Sequence, residues 1–257
     1  MAHQPIIERA ARPRWPRRLA WLSVILLLAA ALLLAGAGPA YRMEFMALGD
    51  AFGLLRYATY AAVAAAALGL LTLVAAAVKR RFGPGFTAVL VMAAAVALLY
   101  VPWQHWQRAQ AVPAIHDITT DMDNPPAFEA VADAREETPN EVGYPGGRTA
   151  EQQRAAYPEI QPLVIEAPMD TVLAAVQAEM QDAGWQIADV GPARIEATAT
   201  TRWFGFKDDV VVRLREEDAA TRVDMRSASR MGASDVGTNA ARIHTFLEAL
   251  KARLDEA

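Results

Sequence analysis

Cysteine is absent from this chain of 257 residues, which removes thiol nucleophiles, disulfides, iron–sulfur clusters and cysteine-ligated zinc together. The absence leaves the compartment open, because a domain of ordinary size outside the cytoplasm can fold without disulfide staples. Histidine is scarce, at four residues, and no second one stands at metal-ligand spacing from His116. Asp, Glu, His and Lys are also missing from the interior of every long apolar run. That argues against a proton relay or ion pathway, and so against a transporter.

Apolar residues are abundant, at 54% of the chain, which is high for a soluble protein. The excess lies before Trp106. Three stretches, residues 19–37, 57–78 and 86–103, reach the roughly 20 residues of about 1.5 Å rise that a bilayer crossing needs. Tyr100, Trp103 and Trp106 close the third with the amphipathic rings expected at a headgroup boundary. Arg9, Arg12, Arg14, Arg17 and Arg18 precede the first run, and Lys79, Arg80 and Arg81 separate the second from the third. Basic loops resist translocation, so the pattern predicts a basic cytoplasmic N-terminus over residues 1–18 and, after three crossings, everything beyond Trp106 outside. A cleaved signal peptide ending near Ala35-Gly36-Ala37 is the competing reading of the first run, although the run is longer than a usual signal core. In the Ala-rich second run, Ala65 and Gly69 suit close approach of helices, by packing within the trio or against a partner helix. Packing is the simpler reading.

Charge separates along the same line. Residues 1–103 carry ten Lys or Arg against three acids, and residues 104–257 carry fifteen against twenty-six, so the parts are +7 and −11 and sum to the net −4. An acidic head is a poor nucleic-acid binder, since phosphate affinity comes from Lys and Arg. The expected partners are therefore the bilayer and an envelope protein, lipid or anionic polymer. No cofactor is implied.

Residues 104–161 are rich in Pro, Gly and acids, with Pro125-Pro126 and Pro145-Gly146-Gly147 breaking periodicity, and read as an acidic extended connector. Residues 162–257 read as an α+β domain of order β-α-β-β-β-β-α. Leu163-Val164-Ile165 forms a strand, and Val172, Leu173, Val176 and Met180 form the apolar face of a helix ended by Gly184. Four alternating runs follow, the second extending from Arg194 to Phe204. A last helix carries a stripe through Val236, Ala240, Ile243, Leu247, Leu250 and Leu254. Short turns predict an antiparallel sheet with two helices on one face, an arrangement similar to helix-grip and TATA-binding-protein-like folds.

Alternation places Arg202, Arg213, Arg215, Arg222, Arg226 and Arg230 on the other face, against Glu196 and Asp224. Cross-strand ion pairs, docking of the acidic connector, and an external anionic ligand each explain such a basic face. Ser227, Ser229, Ser234 and Asp235 fall in the densest polar segment, where Gly232 to Gly237 misses a nucleophile elbow by one residue. His244 and His116 cannot be placed within reach of these hydroxyls from sequence, and helix capping by Ser234 or Asp235 is the plainer account. His116, Asp117, Thr119, Asp121 and Asp123 group ligand-type atoms without a calcium-loop pattern. Neither a catalytic set nor a metal set is assigned.

Several ordered motifs bear a resemblance. They are Ile115-His116-Asp117-Ile118-Thr119-Thr120-Asp121 with Asp123-Asn124-Pro125-Pro126, Tyr157-Pro158, Trp203-Phe204-Gly205-Phe206-Lys207-Asp208-Asp209, and Asp224 to Arg230 running into Gly232, Ser234-Asp235, Gly237 and Asn239. Over residues 115–254 the chain resembles the bacterial family catalogued as domain of unknown function number 1499, in its membrane-anchored form. The resemblance carries no activity with it. It implies that Asp208, Asp209, Asp224, Arg226, Ser229, Arg230, Asp235 and Asn239 form a shared ligand site or a polar network that holds the fold. A binding module is the first expectation for function, and an envelope hydrolase using the Ser and Asp residues of 224–239 is the alternative.

Overall fold

The computed structural model describes residues 14–256, so Arg9, Arg12 and the rest of residues 1–13 lie outside the described part. Contacts divide the chain into two units, Met1–Gln104 and His105–Ala257.

The first unit is built from α1 (Trp15–Arg42), α2 (Leu48–Val78) and most of α3 (Phe82–Ala111). At 28, 31 and 30 residues, all three are long and apolar enough to cross a membrane, and each outruns the apolar stretch that marks it in the sequence. Their large side chains face outward, Leu32 and Val96 among them, as lipid contact requires. Their small ones face each other. Ala58, Ala62, Ala65 and Gly69 form a buried seam on α2, and a Cβ on Gly69 would come within 3.0 Å of Met92 Cγ on α3. Without a hydrophobic drive in lipid, such close approach supplies the packing. The Ser and Thr hydroxyls of the spans, Ser23, Thr59, Thr72 and Thr87, bond back to carbonyls of their own helix, as Thr72 Oγ1 does to Leu68 O at 2.7 Å, so these side chains satisfy themselves without a partner helix.

The second unit, here called the head, contains β1 (Asp117–Thr119), α4 (Ala132–Glu136), α5 (Gly147–Ala156), β2 (Leu163–Ile165), α6 (Met169–Asp182), β3 (Gln186–Val190), β4 (Arg194–Thr200), β5 (Lys207–Glu217), β6 (Ala220–Ser229) and α7 (Thr238–Asp255). The six strands form one antiparallel sheet in the order β1-β6-β5-β4-β3, with β2 also paired to β6. Helices α6 and α7 pack on one face through the expected apolar positions. Val172, Val176 and Met180 on α6, with Ala240, Ile243 and Leu250 on α7, are buried against Ile195, Val210, Val212, Leu214 and Met225 of the sheet.

Three readings of the sequence need correcting. Val236 lies before the last helix in a left-handed conformation, φ 54°, and Phe246 joins the stripe instead, packed against Trp185 with ring centroids 5.2 Å apart. The strand from Arg194 stops at Thr200, because residues 201–206 close a tight turn through Thr201 N to Phe206 O at 2.9 Å, with Gly205 at φ 71°. Most consequentially, residues 104–161 are not an extended connector. They contain the end of α3, β1, α4 and α5, and Phe128, Val131 and Val142 form a second small core with Val211 and Ala228 on the sheet face opposite α6 and α7. Proline and glycine erased the periodicity that would have revealed this. What holds the segment down is ion pairing and backbone hydrogen bonding more than an apolar stripe.

Candidate functional site

Side chains of neighbouring strand residues point to opposite faces, so the family motifs divide into two polar networks with the sheet between them. Asp208 and Asp209 are adjacent on β5 and pair with Ser229 and Ala228 of β6. Asp209 faces the layer formed by residues 120–142, which we call the clasp, and Asp208 faces α7.

On the clasp side Asp209 is fully buried. Its Oδ2 accepts from Arg135 Nη1 at 3.0 Å and Arg230 Nε at 2.9 Å, and its Oδ1 from Thr198 Oγ1 at 2.7 Å and Arg230 Nη2 at 2.8 Å. Arg135 also donates to the carbonyls of Ala228 and Glu141, and burial pulls its pKa below the ordinary value against the opposing pull of Asp209. Beside it Arg226 makes a two-point pair with Asp117, Nε to Oδ1 at 3.0 Å and Nη2 to Oδ2 at 2.7 Å. Arg226 donates as well to Pro126 O and Val142 O, and its guanidinium lies 4.4 Å from the Phe128 ring centroid. Glu196, also buried, accepts from the backbone N–H groups of Glu129 and Val131.

At the lower end of this face three guanidiniums meet two carboxylates. Arg213, Arg215 and Arg222 lie 3.3, 3.0 and 3.5 Å from Asp121 Oδ2. They reach Asp224 at 3.0, 2.7 and 3.1 Å. Burial alone would push the Asp121 carboxyl up, but the Asn124 N–H and the Arg215 and Arg222 charges outweigh it and hold the pKa below the ordinary range. Arg202 stands apart in character, in the exposed β4–β5 turn. The basic face is thus largely neutralised, partly by cross-strand pairing (Asp224, Asp209 and, from β1, Asp117) and partly by the clasp (Asp121).

On the α7 side the Asp208 carboxylate accepts from Arg242 Nη2 at 2.6 Å. Arg242 Nη1 donates to Ser227 Oγ at 2.9 Å and to the Asn239 side-chain oxygen. Ser227 Oγ donates to the same oxygen at 2.7 Å, and Asn239 Nδ2 donates to Ser229 Oγ at 3.0 Å and His116 O at 2.9 Å. Asp235 caps α7 by accepting from the N–H groups of Gly237 and Asn239, both at 2.8 Å, and burial nonetheless pushes its pKa up. Ser234 Oγ accepts from Val236 N. Thr119 is buried, with its backbone N–H and C=O both bound by the Gln153 side-chain amide at 3.1 and 2.6 Å. Arg242 also reaches a groove of about 350 Å³ between α6 and α7, lined by Glu179, Ala183, Trp185, Thr238 and Phe246.

Sequence reasoning missed Arg135, Arg242, Gln153 and the role of Glu196. Arg242 had a readable signal, because it follows Asn239 by three residues and so shares its helix face. Arg135 had none, since its partner lies 74 positions away. Among the described residues no group of three or more His, Asp or Glu is arranged to hold a metal ion.

Tyr144 offers a direct test of this layer. Its hydroxyl is buried without a protein partner. Burial, reinforced by the Asp117 charge, pushes its pKa from 10.0 up to about 12. A raised pKa means that the stabilisation is complete below pH 10 and is lost as pH rises toward about 12, where the buried phenol must ionise. We expect Tyr144→Phe to leave stability at neutral pH unchanged within about 0.5 kcal/mol and to shift alkaline unfolding to higher pH. An unshifted alkaline transition in circular dichroism would contradict the assigned burial.

A comparison with curated proteins finds no match. A family model described as protein of unknown function (DUF1499) matches residues 117–250, just over half of the 257 residues. The match begins at β1 and takes in the clasp, the whole sheet and most of α7, so the family motifs coincide with the two networks. The chain therefore belongs to the DUF1499 family, in a form that carries three apolar helices ahead of the family domain.

Proposed function

We propose that this chain is a membrane-anchored module of the bacterial cell envelope, with its N-terminus in the cytoplasm and its head outside, that binds a ligand or partner without catalysis. The orientation rests on the basic residues before α1 and between α2 and α3. The observation that carries the non-catalytic reading is the closure of the α7-side network. Ser227 and Asn239 are fully buried and Ser229 nearly so, and the serine hydroxyls are engaged by an amide, a guanidinium and a backbone N–H. A serine nucleophile needs a base within hydrogen-bond reach and an approach for substrate, and these contacts supply neither.

In this reading Arg242 is the residue that faces the ligand at the α6–α7 groove, and the buried Asp208, Asn239 and Ser229, with the part-buried Asp235, hold the network behind it. Asp209, Asp224, Arg226 and Arg230 hold the clasp. A groove of this size is at the small end of ligand sites, and its stacked Trp185 and Phe246 favour a compact apolar or aromatic group.

The test uses detergent-solubilised full chain. A fluorophosphonate that labels activated serines is expected to leave Ser227, Ser229 and Ser234 unmodified, and affinity purification is expected to recover one lipid, polymer or protein in near-stoichiometric amount. Labelling of Ser229 or Ser234 would instead favour the envelope hydrolase. Recovery of bulk lipid alone would count against binding.

A further inference from the structure

The turn between α2 and α3 brings a cluster of cations to the mouth of an apolar groove. The α2 C-terminus is closed by two backbone bonds, Arg81 N to Ala76 O at 2.7 Å and Arg80 N to Ala77 O at 3.1 Å, with Arg80 at φ 50° in the left-handed position where glycine is usual. This double closure fixes Arg80 and Arg81 at the edge of a cavity of about 820 Å³. Leu73, Ala77, Phe86 and Val89 form its apolar walls, and Gly83 and Gly85 line it without adding side chains. Phe82 and Phe86 stand highly exposed beside it.

Lys79, Arg80 and Arg81 make no ion pair among the described residues, and residues 51–116 contain no Asp or Glu that could neutralise them. Unpaired guanidiniums over an apolar slot at the end of two membrane-length helices match one chemistry, an anionic headgroup joined to acyl chains. We propose that this groove is a binding site for an anionic diacyl phospholipid, its phosphate held by Arg80 and Arg81 with Lys79 adding charge, and one acyl chain lying along Leu73, Ala77 and Val89. A second copy of the helix pair fits less well, since it would bring the same positive cluster to the same level.

Full-length chain stripped of lipid in detergent, then offered phosphatidylglycerol or phosphatidylcholine with identical acyl chains, provides the test by native mass spectrometry. The chain is expected to retain phosphatidylglycerol about tenfold or more in preference. Lys79→Gln/Arg80→Gln/Arg81→Gln should lose that preference, while Arg17→Gln/Arg18→Gln, which removes as basic a pair elsewhere, should keep it. Gly85→Leu, whose Cβ would stand 3.4 Å from Ala76 Cβ, should fill the groove and lower phosphatidylglycerol retention with the cations intact. Helicity by circular dichroism checks that each variant is folded. Equal retention of the two lipids by the unmodified chain, or an unchanged preference in the triple variant, would overturn the proposal. Full displacement of the lipid by soluble glycerol phosphate would overturn it too, by showing a free-anion site.

Discussion

Asp209→Ala is expected to lower the melting temperature of the head by roughly 6–20 °C, read by tryptophan fluorescence or by calorimetry on the full chain in detergent. The carboxylate is the shared partner of Arg135 and Arg230, and the Arg135 side chain is wholly buried. Removing one member of a buried ion pair costs about 3–5 kcal/mol, because the charge left behind has lost its water and gained nothing. For a folded unit of this size each kcal/mol is worth about 2–4 °C. A second variant separates this cause from simple loss of packing. Asp209→Leu/Arg135→Met removes the stranded guanidinium, and Arg230, which is part exposed, can turn toward water, so most of the loss should be recovered. A double variant as unstable as the single would show that the uncompensated charge is not the cause.

Arg226→Ala should act on the clasp more than on the sheet. The substitution strands Asp117, leaves the carbonyls of Pro126 and Val142 without this donor, and removes a cation from the face of Phe128. A buried pair broken in this way costs about 3 kcal/mol or more, which corresponds to roughly a hundredfold rise in local opening. Amide exchange across 117–142 is therefore expected to quicken about a hundredfold, with α6 and β4 less affected. Arg226→Lys keeps the charge but cannot reproduce the two-point geometry with Asp117 while also reaching both carbonyls, so its exchange should be intermediate. Unchanged protection of 117–142 in Arg226→Ala would mean that the clasp is held chiefly by Phe128 and Val131.

Strands β2 to β6, their antiparallel meander and the α6 and α7 stripes were legible because they rest on local periodicity, which a sequence carries within ten residues or so, whereas β1, three residues long, fell in the segment read as a connector. The membrane-length helices were legible for the same reason. The clasp was not. Its attachments join Pro126 to Arg226 and Arg135 to Asp209, 100 and 74 positions apart, and a segment held by such bonds looks in sequence like any polar loop. Motif groups the candidate residues together, yet motif spacing does not reveal that they occupy two faces of the sheet. Asp208 and Asp209 are neighbours in the chain and belong to different networks, so a list that joins them describes a strand crossing rather than a single pocket.

That adjacency also governs strand pairing. The apolar residues Val210, Val211 and Val212 lie one after another on β5 and are all buried, so hydrophobicity alone would tolerate a shift of β5 by one residue against β6. The two carboxylates would not. A one-residue slip turns every side chain to the opposite face, setting Asp209 against α7 and Asp208 against the clasp, each parted from its arginine. The Asp208-Asp209 pair thereby works as a key that admits one alignment of the two longest strands, a role it would fill whatever the head binds.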